Sequence, residues 1–239
     1  MIKKIYRISI LGDSISTFSG YVPEYDGVNL SHRCRYPQAN LLTDVKDTWW
    51  MKTIDDLGGV LGVNDSWAGS TVSNSIDGNF KDFGVDAAMA SLTRIKNLGS
   101  NGIPDYIFFF GGTNDAGKMV KKGSFEASFA PTAPDLSATK WNSFADAYCE
   151  ALCRLRVYYP NARIVAMTPS ISGGYYDNER LSEFADLIIK ICGHYSVECI
   201  DLRLSGITFE MLPDGLHPNK DGMSRIHNAV MNKVKMVNK

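Results

Sequence analysis

The sequence predicts an α/β protein, a three-layer sandwich in which helices cover both faces of a five-stranded parallel sheet. Two observations carry that reading. Short apolar, β-favouring runs alternate with helical patterns along almost the whole chain, which implies parallel strands joined by right-handed crossovers. The third run, residues 106–110, reads Tyr-Ile-Phe-Phe-Phe. A segment apolar at every position suits a central strand covered on both sides.

Residues 5–11 end at Gly12 and read as the first strand. Residues 47–61 look helical through Trp50, Ile54, Leu57 and Leu61, and residues 63–67 form a short second strand. Residues 85–98 place Ala88, Leu92, Ile95 and Leu98 on one face, with Gly99 as a stop. The third strand is bounded by Pro104 and Gly111. Residues 142–159 make an amphipathic helix through Phe144, Tyr148, Leu152 and Leu155, ended by Pro160. Residues 163–167 are the fourth strand. Residues 179–192 repeat Leu181, Phe184, Ile188 and Ile191 behind a cap at Asn178, and residues 197–202 are the fifth strand. A last helix after Pro218 aligns Met223, Ile226, Val230 and Val234.

Neither a second core pattern, an internal repeat nor a low-complexity linker interrupts this series, so residues 1–239 read as a single domain. Two stretches escape it, residues 17–46 and 118–140. Aperiodic loops of such length are usually functional or poorly ordered. Both follow strands and so emerge at the carboxyl edge of the sheet, where ligands bind in open α/β folds.

Composition narrows the partners. A formal net charge of -1, with 25 basic and 26 acidic residues interleaved, gives no electrostatic reason to expect nucleic acid or an anionic membrane. No apolar run approaches the roughly 20 residues of a membrane span. Residues 1–7 read as the lead-in to the first strand rather than as a signal peptide. Cys34, Cys149, Cys153, Cys192 and Cys199 form no spaced metal motif and read as buried, reduced thiols. A cytoplasmic location follows, or a secreted one if a leader was removed.

Two short motifs carry chemistry. Gly12-Asp13-Ser14 follows the first strand, and Asp214-Gly215-Leu216-His217-Pro218 precedes the last helix. A hydroxyl needs a base to become a nucleophile, and the base needs a partner to fix its tautomer. Ser14, His217 and Asp214 supply those roles. Gly69 follows the second strand and Asn114 the third, so every candidate leaves the same sheet edge. Attack on an ester carbonyl creates an oxyanion that needs preorganised donors. The backbone N–H groups of Ser14 and Gly69 and the side-chain amide of Asn114 are the candidates. That chemistry requires no metal and no cofactor.

Each motif alone is weak, and an isolated Gly-Asp-Ser is ordinarily a turn. All four in order, each beyond a strand, make the catalytic reading. His32, His194 and His227 lack an acidic residue three positions earlier and read as surface or packing residues. Asp13 and Asp115 read as holders of loop amides. Trp50 belongs to an apolar stripe; Trp49, Tyr175 and Tyr176 are candidates to line the cleft.

The chain resembles the SGNH, or GDSL-type, serine esterases and lipases. Gly12-Asp13-Ser14 matches their nucleophile block, residues 64–69 the glycine block, Gly112-Thr113-Asn114-Asp115 the asparagine block, and residues 214–218 the Asp-x-x-His block. The resemblance spans residues 8–219, with Ile15 where a leucine is usual. It implies a flavodoxin-like strand order 2-1-3-4-5, with Ser14, Gly69, Asn114 and His217 as the four name-giving residues. The expected activity is cleavage of a carboxylic ester through an acyl-enzyme, on a short-acyl or carbohydrate O-acetyl ester, hence a small-molecule or glycan partner. A lysophospholipase or thioesterase, an acyltransferase and a non-catalytic glycan-binding module are the competing readings.

Overall fold

Strand β1 (Arg7–Gly12) lies inside a five-stranded sheet. The computed structural model describes residues 4–25, 28–29, 34–73 and 87–236. Within the first insertion, β2 (Glu24–Tyr25) and β3 (Val28–Asn29) form a small antiparallel ladder that the aperiodic sequence does not announce. The main sheet adds β4 (Val60–Ser66), β5 (Tyr106–Phe110), β6 (Arg163–Met167) and β7 (Glu198–Ile200). Its order is β4-β1-β5-β6-β7 with every pair parallel, the expected 2-1-3-4-5. The register puts Gly12 beside Ser66 and Phe110, Phe110 beside Met167, and Met167 beside Ile200. The carboxyl ends therefore form one row, and the loops that follow share one edge.

Side chains alternate across the pleat, giving each face its own helices. Ile8, Ile10, Tyr106, Phe108, Phe110, Val165 and Met167 pack toward α1 (Trp49–Leu57) and α6 (Lys220–Met236). The expected α6 stripe of Met223, Ile226, Val230 and Val234 is fully buried there. Leu11, Ile107, Phe109, Ile164 and Ala166 face the opposite layer. That layer holds α2 (Leu92–Asn97), α4 (Phe144–Tyr158) and α5 (Asn178–His194); the short α3 (Thr113–Gly117) follows β5. Each fully buried Phe or Leu contributes about 1.5–3 kcal/mol to folding.

Several boundaries differ from the sequence reading for identifiable reasons. The first helix stops at Leu57 because Gly58 adopts φ 63° and donates its N–H to Asp55 and Ile54, a left-handed helix end that glycine favours. Leu61 therefore belongs to β4, which starts at Val60. The helix expected over residues 85–98 begins only at Leu92, capped by Ser91. Met89 and Ala90 instead bond the carbonyls of Thr71 and Val72, and residues 85–86 lie outside the described residues. Asp177, not Asn178, caps α5. Asn178 uses both ends of its amide on the backbone of Ser172. The last strand closes at Ile200, where Asp201 caps a 3-10 turn.

Candidate active site

The turn that carries Ser14 is built around Gly12. A side chain there would meet the Ser66 and Ser16 hydroxyls within 2.8–2.9 Å. Residues Ser14–Ser16 form a single 3-10 turn whose cap, Asp13, accepts the Ile15 N–H at 3.0 Å. Thr17 Oγ1 donates to the Ser14 carbonyl at 2.8 Å, and Asn64 Nδ2 donates to that of Ser16 at 2.9 Å. Beneath the turn, Arg94 is fully buried. It donates to the carbonyls of Gly12 and Asp65 and to the Asp65 carboxylate. Ser14 thus sits on a backbone held from several sides.

The second motif arrives as a turn stapled by its own aspartate. Asp214 Oδ1 accepts the N–H groups of Leu216 (3.0 Å) and His217 (2.7 Å). Its other oxygen lies 2.8 Å from His217 Nδ1, and His217 Nε2 lies 2.8 Å from Ser14 Oγ. The structure therefore brings Ser14, His217 and Asp214 into one hydrogen-bonded chain. Ser14 is 6% and His217 8% exposed. Burial lowers the imidazole's pKa, opposed by the Asp214 carboxylate and aided by the Arg35 guanidinium. Burial alone would raise the Asp214 carboxyl. The His217 N–H, the imidazole and the Leu216 N–H together hold it below the ordinary carboxylate range. A hydroxyl, an imidazole and a carboxylate so ordered can pass a proton off the hydroxyl while an electrophile bonds to its oxygen.

Asn114 lies in α3. One N–H of its amide donates to the Ser70 carbonyl at 3.0 Å, leaving the second for another acceptor. Its Oδ1 accepts from the Tyr176 hydroxyl at 3.3 Å. The Tyr176 ring lies against Gly117, where any Cβ would collide with it. Gly69 adopts φ 78°, and its carbonyl accepts from Lys118 Nζ at 2.6 Å. Asp115 joins these blocks by accepting the N–H groups of Val72 (2.8 Å) and Ser73 (3.1 Å). Burial pushes the Asp13 and Asp115 carboxyls up to about 7 against the pull of those amides, and against the Arg94 guanidinium at Asp13. Both act on loop amides, as expected.

Other expectations fare differently. Trp49 does not line the cleft. It is fully buried, donates its indole N–H to Ser16 Oγ at 3.2 Å, and stands edge-on to Phe108. Its position off the apolar stripe misled because α1 packs over the turn that carries Ser14 as well as over the sheet. Tyr175 is 59% exposed and edge-on to Tyr176. His194 packs against Phe125, and His227 against Thr53 and Asp56. His32 lies outside the described residues. The sequence reading missed Arg35, whose guanidinium contacts Asp214 Oδ2, and Tyr36, whose hydroxyl donates to the Pro218 carbonyl at 2.9 Å. Neither belongs to a motif or a periodic stripe, so no signal pointed to them. Arg94 was hidden inside a helical pattern. Among the described residues, no cluster of three or more His, Cys, Asp or Glu could hold a metal ion.

With this geometry in place, comparison with known proteins becomes specific. The profile of the GDSL-like lipase/acylhydrolase family matches residues 6–234. The chain belongs to that family of ester hydrolases. A protein assigned to the GDSL-like lipases from Bacteroides uniformis is 30% identical, with 97% of this chain and 96% of that one covered and a TM-score of 0.71. A second, from Bacteroides ovatus, is 27% identical over 99% and 100% of the chains, at 0.70. A carbohydrate acetylesterase family member from Sinorhizobium meliloti shares the fold at 14% identity, 97% and 98% coverage and 0.60. No curated protein sequence matches this chain. Among the described residues, no helix is long and apolar enough to cross a membrane.

Proposed function

We propose that this chain is a serine esterase in which Ser14 is the nucleophile, His217 the general base and acid, and Asp214 the residue that orients the imidazole. The reading rests on one observation, the unbroken chain from Ser14 Oγ through His217 to Asp214 with both links at 2.8 Å. Ser14 Oγ bonds to the ester carbonyl carbon as its proton passes to Nε2. The oxyanion is met by the N–H groups of Ser14 and Gly69 and by the spare N–H of Asn114. Collapse expels the alcohol, which takes the proton from Nε2, and leaves the acyl group on Ser14. Water then attacks and gives its proton to Nε2; collapse breaks the bond to Ser14 Oγ, which takes that proton back from Nε2 as the acid is released. No cofactor enters these steps. The chain acts as one hydrolase domain.

The groups near the site, Arg35, Lys118 and the Tyr176 hydroxyl, are polar. They favour a small-molecule or glycan ester with a short acyl group, such as a carbohydrate O-acetyl ester. Fluorophosphonate should label Ser14 in wild type and not in Ser14→Ala; folded wild-type protein left unlabelled would refute the nucleophile. Para-nitrophenyl esters of increasing length should turn over fastest at acetate. An optimum at longer chains would instead favour a lysophospholipase or thioesterase, and acceleration by an added sugar alcohol an acyltransferase.

A further inference from the structure

The first insertion places a permanent cation on the carboxylate at the end of the proton chain. Arg35 reaches Asp214 Oδ2, the oxygen that also faces His217 Nδ1. Its backbone is tied in as well. Arg35 N donates at 2.8 Å to Thr17 Oγ1, the hydroxyl that itself donates to the Ser14 carbonyl. Next along the chain, Tyr36 bonds the Pro218 carbonyl, stands edge-on to the His217 ring, and gives its own carbonyl to the Ser19 N–H. Residues on either side of the nucleophile and the base are thereby joined through one short segment. Arg35 Nε is buried without a hydrogen-bond partner among the described residues.

We propose that Arg35 is a positioning residue for the hydrolytic site, sharing the Asp214 carboxylate with His217 so that the imidazole faces a carboxylate already partly neutralised by a fixed charge. The inference rests on the esterase reading above and assigns a task to the first insertion. A lone carboxylate would stabilise the imidazolium strongly and hold a proton on His217 in mildly acidic solution. The guanidinium opposes that, keeping more of the base unprotonated, while the two-sided grip on Asp214 fixes the ring. The titratable groups around His217 are Asp214 on its own turn, Arg35 and Tyr36 from the insertion, and Asp13 beside Ser14. Burial pushes the Asp13 carboxyl up to about 7. That contribution is common to wild type and to variants at Arg35, so a comparison between them cancels it.

The test is the pH profile of kcat/KM on para-nitrophenyl acetate for wild type, Arg35→Gln and Arg35→Lys. Removing a neighbouring cation favours imidazolium. The acid limb of Arg35→Gln should therefore move to higher pH, by roughly half to one unit given partial exposure of the guanidinium. Arg35→Lys retains the charge and should keep the wild-type limb with a lower plateau, because an ammonium cannot reproduce the planar fork. Coincident limbs for Arg35→Gln and wild type would overturn the proposal, and so would an equal shift in Arg35→Lys. If Arg35→Gln does not fold, Arg35→Met is the second neutral variant, retaining an apolar stem. The same comparison in a Ser14→Ala background, read from the His217 C2–H proton resonance, gives the imidazole titration without turnover. Failure of fluorophosphonate labelling would then remove the esterase reading alone, whereas an unmoved titration would remove the role of Arg35.

Discussion

Two insertions leave the same sheet edge, and each is fastened by an arginine, but the arginines point in opposite directions. In the first, Arg35 belongs to the loop and reaches inward to Asp214. In the second, Arg154 belongs to α4 and reaches outward. Its guanidinium donates to the carbonyls of Asp135, Ala138 and Ala90, and it pairs with Glu150 at 2.7 Å. Tyr195 and Lys190 of the scaffold likewise bond the carbonyls of Pro131 and Phe125. The second insertion roofs a cavity of about 360 Å³ lined by Phe125, Trp141 and Cys149. A loop that sends side chains into a site participates in its chemistry. Beyond Lys118, which bonds the Gly69 carbonyl at the start of the second insertion, a loop held by its carbonyls can change its side chains without disturbing that chemistry.

The largest effect expected is at the chemistry itself. Ser14→Ala should reduce turnover by at least ~10⁴-fold and leave Tm within a few degrees, since neither arginine anchor depends on the hydroxyl. Arg154→Leu should do the reverse. Stranding the buried Glu150 carboxylate costs about 3–5 kcal/mol of stability by denaturant titration, while kcat/KM per folded molecule stays near wild type. A comparable kinetic loss in Arg154→Leu would break the contrast. Asn114→Ala removes the proposed oxyanion donor and should lower kcat by about 10²–10³-fold with little change in KM. Full kcat would reassign the donor.

Smaller effects sharpen the picture. Tyr176→Phe removes one hydrogen bond to Asn114 and should lower kcat by about 2- to 10-fold, measured on the acetate ester. The last concerns stability. Asp13 has its carboxyl raised to about 7 by burial, so between about pH 4 and 7 the native state binds more protons than the unfolded chain. Native stability therefore falls as pH rises through that window. Asp13→Asn keeps the acceptor for the Ile15 N–H and cannot ionise. The Tm of wild type should fall relative to that variant between about pH 4 and 7, and parallel curves would show that Asp13 does not titrate as described.

What was legible in the sequence and what was not have separate physical causes. Strands and long helices reveal themselves through period, as the all-apolar β5 and the fully buried α6 stripe do. Asp214 and His217 sit three apart, close enough for one carboxylate to bond both the backbone N–H and the ring of His217, so a local motif records their contact. Arg35 and Asp214 meet across 179 residues, and no local pattern records such a pairing. Gly58 ended α1 one turn early because backbone handedness outweighed the continuing apolar period. Trp49 was misplaced because a helical wheel gives direction but not what lies overhead.

The aligned strand ends have a consequence for how activity appears in time. Ser14 and His217 are 203 residues apart, and they meet only when β1, β5, β6 and β7 stand in register and α6 has docked. Contacts so distant along the chain close late in folding. On the proposed assignment, a chain still emerging from synthesis carries Ser14 without His217, and is inert toward esters until its carboxyl-terminal segment arrives. Hydrolysis during refolding is therefore a clock for the last docking event rather than for collapse.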